Sequence, residues 1–484
     1  MGRGEEAAEL VPLYDEPASP LGRVTMLPLL EQVIHWVFSF QNPVDIDAVK
    51  AVLQSSLIKN CPRLRSPTYG EGDYGEDREN DIYINEYVAA LASSPPMRRE
   101  IPLWEMHVLP RRGGGGASCY DSTMRLGTVS PSWRSSSPAA RERAGEPGIP
   151  ITFSEAGGEG KRRAEFSLKG MWRTVKKAWN TLLYSVESSI QLVSPVDKTA
   201  IAGVRLLPRK LATLALCLDD IKTVKNKLNA TINDVFVGII SCGIERYHKL
   251  KFSNDYVIRG NVAVSTRGEG SKKKKVAWGN KVSYFPLALH RRRRSRDPLS
   301  YVRKAIATLS RKKLSLQPQF SYKRCALILN LFGPKAIDFL SHQLYSNTDL
   351  ILSNIVDPLD VVTFAKNHIT KIGVTPTSPP LALEIHMLTY NGKAFLNVLV
   401  AADIIPDPEL LCKSRVMDAE DYGSESINSQ LTPIWMRMLP PAFQHLNKTR
   451  RNEQPKCREG NDPDFSIDLS AQICIESYQS AFHY

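Results

Sequence analysis

Residues 211–248, LATLALCLDDIKTVKNKLNATINDVFVGIISCGIERYH, decide the fold class. An apolar strand, LATLALCL, runs into a helix, LDDIKTVKNKL, whose first turn carries Asp219 and Asp220, the charge sign that a helix start favours. A second helix follows in TINDVFVGIISCGIERYH. Thr231 is placed to cap it, and Val235, Ile239, Ile240 and Ile244 fall on one face at helical spacing. Outward from there, YVIRGNVAVS, KVSYFPLAL, LILSNIVD, LALEIHMLTY and AFLNVLVAAD read as strands, with helices predicted over 299–312 and 325–345. Strands alternating with helices predict a two-layer α/β architecture.

Toward the N-terminus, PLLEQVIHWVFSF reads as a strand and VDIDAVKAVLQSSLIKNCPRL as a helix, with Val49, Val52, Leu53, Leu57 and Ile58 at helical spacing. An acidic, turn-rich stretch leads to a helix in NEYVAALASS and an apolar strand in IPLWEMHVL. After Leu109 the texture changes to RRGGGGASCYDSTMRLGTVSPSWRSSS, which lacks either period and reads as a low-complexity linker. Beyond it, Met171, Trp172, Val175, Trp179, Leu182, Leu183 and Val186 form one apolar stripe, with Arg173, Lys176 and Lys177 elsewhere on the helix. Two readings stay open: a core helix, or an interfacial helix on a membrane. The organisation predicted is an acidic arm over 1–19, an N-terminal domain over 20–109 and an irregular insert over 110–160. A basic helix and linker follow over 161–210, then a C-terminal domain over 211–413 and an irregular tail over 414–484.

A chain of 484 residues with 42% hydrophobic and 23% charged residues is a globular protein with room for two large domains. The eight cysteines show neither metal-site nor disulfide spacing, which points to a reducing compartment and no metal. The acidic N-terminus has no apolar segment of a cleaved signal, and no apolar run reaches the roughly eighteen residues of a membrane span. A net charge of +13 implies an anionic partner. Nucleic acid is not expected, because no recognition motif accompanies the basic runs and no aromatics interleave with them.

Six strings taken in order carry a resemblance: EPASPLGRV, IPLWEMHVL (101–109), NATINDVFVGIISCGIERY (229–247), AWGNKVSY (277–284), LILSNIVDPLD (350–360) and IIPDPELLCK (404–413). Together they resemble the plant-type wax ester synthase/diacylglycerol acyltransferase family over most of residues 15–413. The resemblance implies a two-domain CoA-dependent acyltransferase fold of the chloramphenicol acetyltransferase type. It also implies transfer of a fatty acyl group from acyl-CoA, a co-substrate rather than a resident cofactor, to a long-chain alcohol or diacylglycerol. It implies a membrane-surface partner, at the cytosolic face of the endoplasmic reticulum or at the plasma membrane. Soluble acyltransferases of the same fold that act on phenolic or terpenoid alcohols resemble HxxxD enzymes carrying a DFGWG string, which does not occur here.

In the family a His of HHxxxDG serves as general base, taking the alcohol proton as the oxygen attacks the thioester carbonyl. No two of the nine histidines are adjacent, and the slot holds Ser122, Thr123, Met124, Arg125, Leu126, Gly127 and Thr128. His107 and His386 sit singly among apolar strand residues and read as core histidines. The codons explain the gap. DSTMRLGTVS, read from the third base of the Asp121 codon, can encode Leu/Phe-His-His-Ala-x-Gly-Asp-Gly. Residues from between Arg111 and Cys119 to about Gly148 are therefore expected to be an out-of-frame translation. The alternative is a catalytically dead homologue that binds lipid at most.

The resemblance carries over further residues. Trp104 is matched to the acyl or alcohol channel, with a core Trp as the alternative. Asn233 and Asp234 match a polar pair for a substrate group, with a helix cap as the alternative. Ser353 and Asn354 match a pair facing the central channel, although Asp357 stands where Gly is expected. Trp278, Gly279 and Asn280 match a loop near the CoA, with a plain turn as the alternative.

Overall fold

The computed structural model describes residues 24, 33–52, 68–71, 80–93, 104–110, 116–123, 168–193, 208–251, 257–266, 282–290, 299–356, 362–377, 381–413 and 467–468. In chain order they form β1 (Val33–Phe40), α1 (Ile46–Val52), β2 (Thr68–Glu71), α2 (Asn80–Ala92), β3 (Trp104–Pro110), β4 (Gly116–Thr123) and the long helix α3 (Leu168–Val193). Next come β5 (Arg209–Cys217), α4 (Leu218–Leu228), α5 (Ile232–Lys251), β6 (Val257–Ser265), β7 (Val282–His290), α6 (Leu299–Lys313), α7 (Gln317–Ser346) and β8 (Leu350–Val356). The chain closes with β9 (Val362–Phe364), β10 (Asn367–Thr377), β11 (Leu383–Tyr390), β12 (Lys393–Ala401), α8 (Pro408–Lys413) and β13 (Ile467–Asp468).

The strands make two sheets, ordered β13-β9-β10-β1-β4-β3-β2 and β5-β12-β11-β8-β6-β7. This is the α/β class that the sequence predicts. In the second sheet β8 lies between two parallel neighbours, β6 and β11, and β11 returns as β12 through Asn391 and Gly392. Both turn residues have positive φ, 45° and 70°, as a tight Asn-Gly hairpin requires.

Two features depart from the sequence reading. Residues 362–377 fall within the predicted C-terminal domain, yet β9 and β10 belong to the first sheet, where β10 pairs antiparallel with β1. The crossing strand is anchored by pairing partners 329 to 344 residues away in the chain, which no local pattern can show. Within the predicted irregular insert, residues 116–123 form β4, hydrogen-bonded to β1 on one side and β3 on the other. Two open strand edges recruit this segment, and its own weak pattern did not announce it. Similarly, β13 of the predicted tail pairs briefly with β9.

One core spans both sheets. Trp36 and Phe38 of β1, Leu350 and Leu352 of β8, Ile385 and Met387 of β11 and Val235 and Phe236 of α5 share one buried cluster. Each such buried side chain contributes roughly 1.5–3 kcal/mol. Helices α5 and α6 meet at Gly238, where a Cβ would stand 2.7 Å from Val302 Cγ2 and 2.9 Å from its Cα, so any larger residue would push the helices apart. On α3, by contrast, Trp172, Val175, Trp179, Leu182 and Leu183 are exposed, so the core-helix reading of that stripe does not hold.

Candidate active site

Thr231 and Asp234 close the start of α5 reciprocally. Asp234 Oδ2 accepts from the Thr231 backbone N and from Thr231 Oγ1, each at 2.7 Å, while the Asp234 N donates to Thr231 Oγ1 at 3.3 Å. This is a capping box with Asp in place of Glu. Lys313 at the end of α6 adds a cation, with its Nζ 3.7 Å from Asp234 Oδ1 and donating to Thr231 Oγ1 at 3.3 Å. Burial pulls the Lys313 ammonium below its ordinary pKa, and Asp234 partly offsets this. The neighbouring Asn233 turns to the sheet, where its Oδ1 accepts from Asn354 Nδ2 of β8. The two sequence-predicted polar pairs, 121 residues apart at this contact, therefore meet in space.

The opposite face of β8 carries a polar row that the sequence reading took only in part. Ser353 lies in register with His386, His386 with Asn397 and Asn397 with Thr213. Register partners project to one face. Asn397 Nδ2 donates to the Val374 carbonyl of β10 at 2.9 Å. Thr213 Oγ1 lies 3.0 Å from Asn85 Oδ1 on α2 and 3.1 Å from Asn397 Oδ1, its single proton serving one or the other. The row thus runs under the crossing strand, between the two sheets.

His386 is buried, as read, but not solitary: its Nε2 stands 3.5 Å from Oε2 of Glu384, two residues along the same strand. Glu384 is fully buried, and among the described residues neither of its oxygens accepts a hydrogen bond. The Ser353 hydroxyl and Asn354 Oδ1 are likewise buried without a hydrogen-bond partner among the described residues. An unpaired buried polar group costs roughly 1–3 kcal/mol, so this concentration calls for a compensating role. Close by, Tyr345 of α7 is pushed well above the ordinary phenol pKa, by burial first and then by Tyr284, Glu384 and Cys325. The other strand histidine, His107, accepts or donates at Nδ1 to the Tyr87 hydroxyl of α2 at 2.8 Å, which fits a core role.

The slot that the resemblance assigns to a His-His pair begins at the end of β4, where Ser122 and Thr123 are the last strand residues. Ser122 pairs with Trp104 of β3 on one side and Ile34 of β1 on the other, and Ile34 in turn pairs with Pro376 of β10. The PLWE strand and the slot are therefore adjacent, and the slot is two strands from β10, under which the polar row runs. Met124 to Thr128, and Trp278, Gly279 and Asn280, lie outside the described residues.

Sequence reasoning missed Glu384, Asn397, Thr213 and Lys313. A signal existed for two of them. Glu384 alternates with His386 in LEIHMLTY, and Asn397 interrupts an otherwise apolar strand, so each marks a polar position on a buried face.

Residues 278–418 match the protein family described as the WS/DGAT C-terminal domain. Wax ester synthase/diacylglycerol acyltransferase 11 of Arabidopsis thaliana is 28% identical over 470 residues, covering 86% of this chain and 96% of its own. Its paralogue, number 3, is 26% identical over 452 residues, covering 83% and 92%. Among solved structures, the wax ester synthase/diacylglycerol acyltransferase from Marinobacter aquaeolei VT8 is 16% identical with a TM-score of 0.47, covering 82% of this chain and 96% of that one.

Proposed function

We propose that this chain, a relative of the wax ester synthase/diacylglycerol acyltransferases, transfers a fatty acyl group from acyl-CoA to the hydroxyl of a long-chain alcohol or a diacylglycerol. The observation that supports this most is the meeting of Asn233 with Asn354, which unites two family motifs where the start of α5 meets β8. In the reaction the alcohol oxygen attacks the thioester carbonyl while a base takes its proton, and the CoA thiolate leaves and is protonated, with no acyl-enzyme required. Ser353 and Glu384, on the inter-sheet face of the second sheet, offer buried polar atoms to the ester region of a bound substrate, and the resemblance matches Trp104 to the alkyl channel. The resemblance matches Trp278, Gly279 and Asn280 to the CoA side. The base belongs at the end of β4, at residues 122–128, which an in-frame message would encode as HHxxxDG. The reaction takes place at a membrane surface, at the cytosolic face of the endoplasmic reticulum.

A second reading is favoured by one observation, the Ser122-Thr123 pair itself: as written, the chain has no His in the slot. The test incubates purified protein with palmitoyl-CoA and either hexadecanol or a diacylglycerol in detergent, following free CoA and the lipid product. The chain carrying the shifted frame over residues 121–130 should form ester, and the chain as written should form none above background. A shifted-frame chain that folds yet forms no product would refute the acyltransferase reading.

A further inference from the structure

The helix α3 is built inside out. Its inner side is polar: Asn180 Nδ2 donates to the Arg311 carbonyl at 3.3 Å, Thr181 Oγ1 accepts from the Leu316 N at 2.8 Å, and Lys312 pairs with Glu187 at 2.9 Å. Farther along, Gln191 Nε2 donates to the Asn347 carbonyl at 3.4 Å. The outer side carries Trp172, Val175, Trp179, Leu182, Val186 and Ile190, all exposed, with Trp172 at 69% and Trp179 at 64%. At 3.6 residues per turn these side chains fill an arc of about 80°, opposite the arc that holds Asn180 and Gln191. A helix that faces water is expected to show the reverse.

Next to it, α7 is broken at Gly333, whose φ of +75° precedes Pro334. Leu329 before the break and Ile337 after it share one buried cluster with Val24, so both halves are anchored to it. At the break itself Leu331 and Phe332 are 67% and 71% exposed. Arg324 Nη1 donates to Ser189 Oγ at 3.1 Å, tying the first half of α7 to α3. Exposed cations accompany both helices: Arg173 and Lys176 on α3, Lys323 and Lys335 on α7.

We propose that the outer stripe of α3 and the Leu331–Phe332 break of α7 form one docking surface for an anionic lipid bilayer. Tryptophans and aliphatic side chains would enter the headgroup boundary while the cations meet anionic lipid. None of the described helices is long and apolar enough to cross a membrane, so attachment is in the interface plane. The same cations argue against a second copy of the chain as occupant, since like charges would be brought together around the apolar patch. This surface rests on the reading that the substrates are dissolved in a membrane, but it is tested separately.

The test sediments the full chain with phosphatidylcholine vesicles, with and without phosphatidylserine. The protein should partition onto the serine-lipid vesicles and release as salt rises. Both Trp172→Ala/Trp179→Ala and Leu331→Ser/Phe332→Ser should weaken partitioning at least about tenfold, whereas Trp172→Phe/Trp179→Phe should retain most of it. These side chains are exposed, so thermal unfolding of all three variants should match the parent. Failure of the parent to bind, or equal binding by all variants, overturns the proposal. So does a shift from dimer to monomer in the variants without a change in vesicle binding. Acyl transfer by the shifted-frame chain in detergent reports the activity independently: its absence there would refute the enzyme and leave the docking surface standing.

Discussion

The two sheets are built from different distances along the chain. All six strands of the second sheet lie between Arg209 and Ala401, and its centre pairs β8 with β11 about 33 residues on. The first sheet gathers residues 33–123, then 362–377, then 467–468. Its central strand β1 is held on one side by β4 and on the other by β10, a strand lent by the C-terminal half. The second sheet can therefore form from its own stretch of chain, whereas the first must wait for a long loop to close. The proposed catalytic slot begins in the dependent sheet, and the polar row lies where β10 joins the two.

Core truncation tests this dependence most severely. Trp36→Ala in β1 should cost about 3–5 kcal/mol and Leu352→Ala in β8 about 2–5 kcal/mol. Both side chains are fully buried in the one cluster that spans the sheets. Denaturant unfolding followed by tryptophan emission and by circular dichroism should show a single transition displaced in both variants. Two separate transitions, with only one moved by Leu352→Ala, would mean that the sheets fold independently.

A smaller effect belongs to the second sheet alone. Asp349, just before β8, accepts from the Arg259 N at 2.8 Å, and burial raises its carboxyl from 3.8 to about 6. The folded protein then binds this proton more tightly than the unfolded chain does. Its stabilising contribution is present below about pH 4 and is lost as the pH rises through 6, a change on the order of 2–3 kcal/mol. Asp349→Asn keeps an acceptor for Arg259 and should flatten that slope, leaving the protein at least as stable as the parent at pH 7. A slope unchanged by the substitution would contradict the assignment.

The smallest expected effect lies at the junction. Thr213→Val removes the hydroxyl between Asn85 and Asn397 and should cost about 1 kcal/mol, within the range for a lost hydrogen bond. Its loss should lower Asn85-side protection in hydrogen exchange more than protection of β8. The reverse ranking would place the coupling between the sheets elsewhere.

Much of the second sheet was legible because its strands and helices carry their own periods: LATLALCL became β5, TINDVFVGIISC opened α5, and LILSNIVD and LALEIHMLTY became β8 and β11. The two polar pairs were singled out only through resemblance, and their meeting at Asn233 and Asn354 is a matter of tertiary structure. NHITKIGVTPT did not announce β10, since polar residues interrupt it and its pairing is with a strand far away. GASCYDST has no strand pattern of its own and is held as β4 by the edges on both sides. Lys313 reads as the end of a basic helix; only the fold turns it toward Asp234.

The first sheet's slot remains the central claim, and the message itself tests it most directly. The transcript should be sequenced across the codons for residues 105–155 and read in all three frames. A continuous frame encoding His-His-x-x-x-Asp-Gly at the end of β4 is the predicted result, and it would supply the base that the site lacks. A message that encodes DSTMRLGTVS as written, with no His-His in the frame that continues into α3, would contradict it.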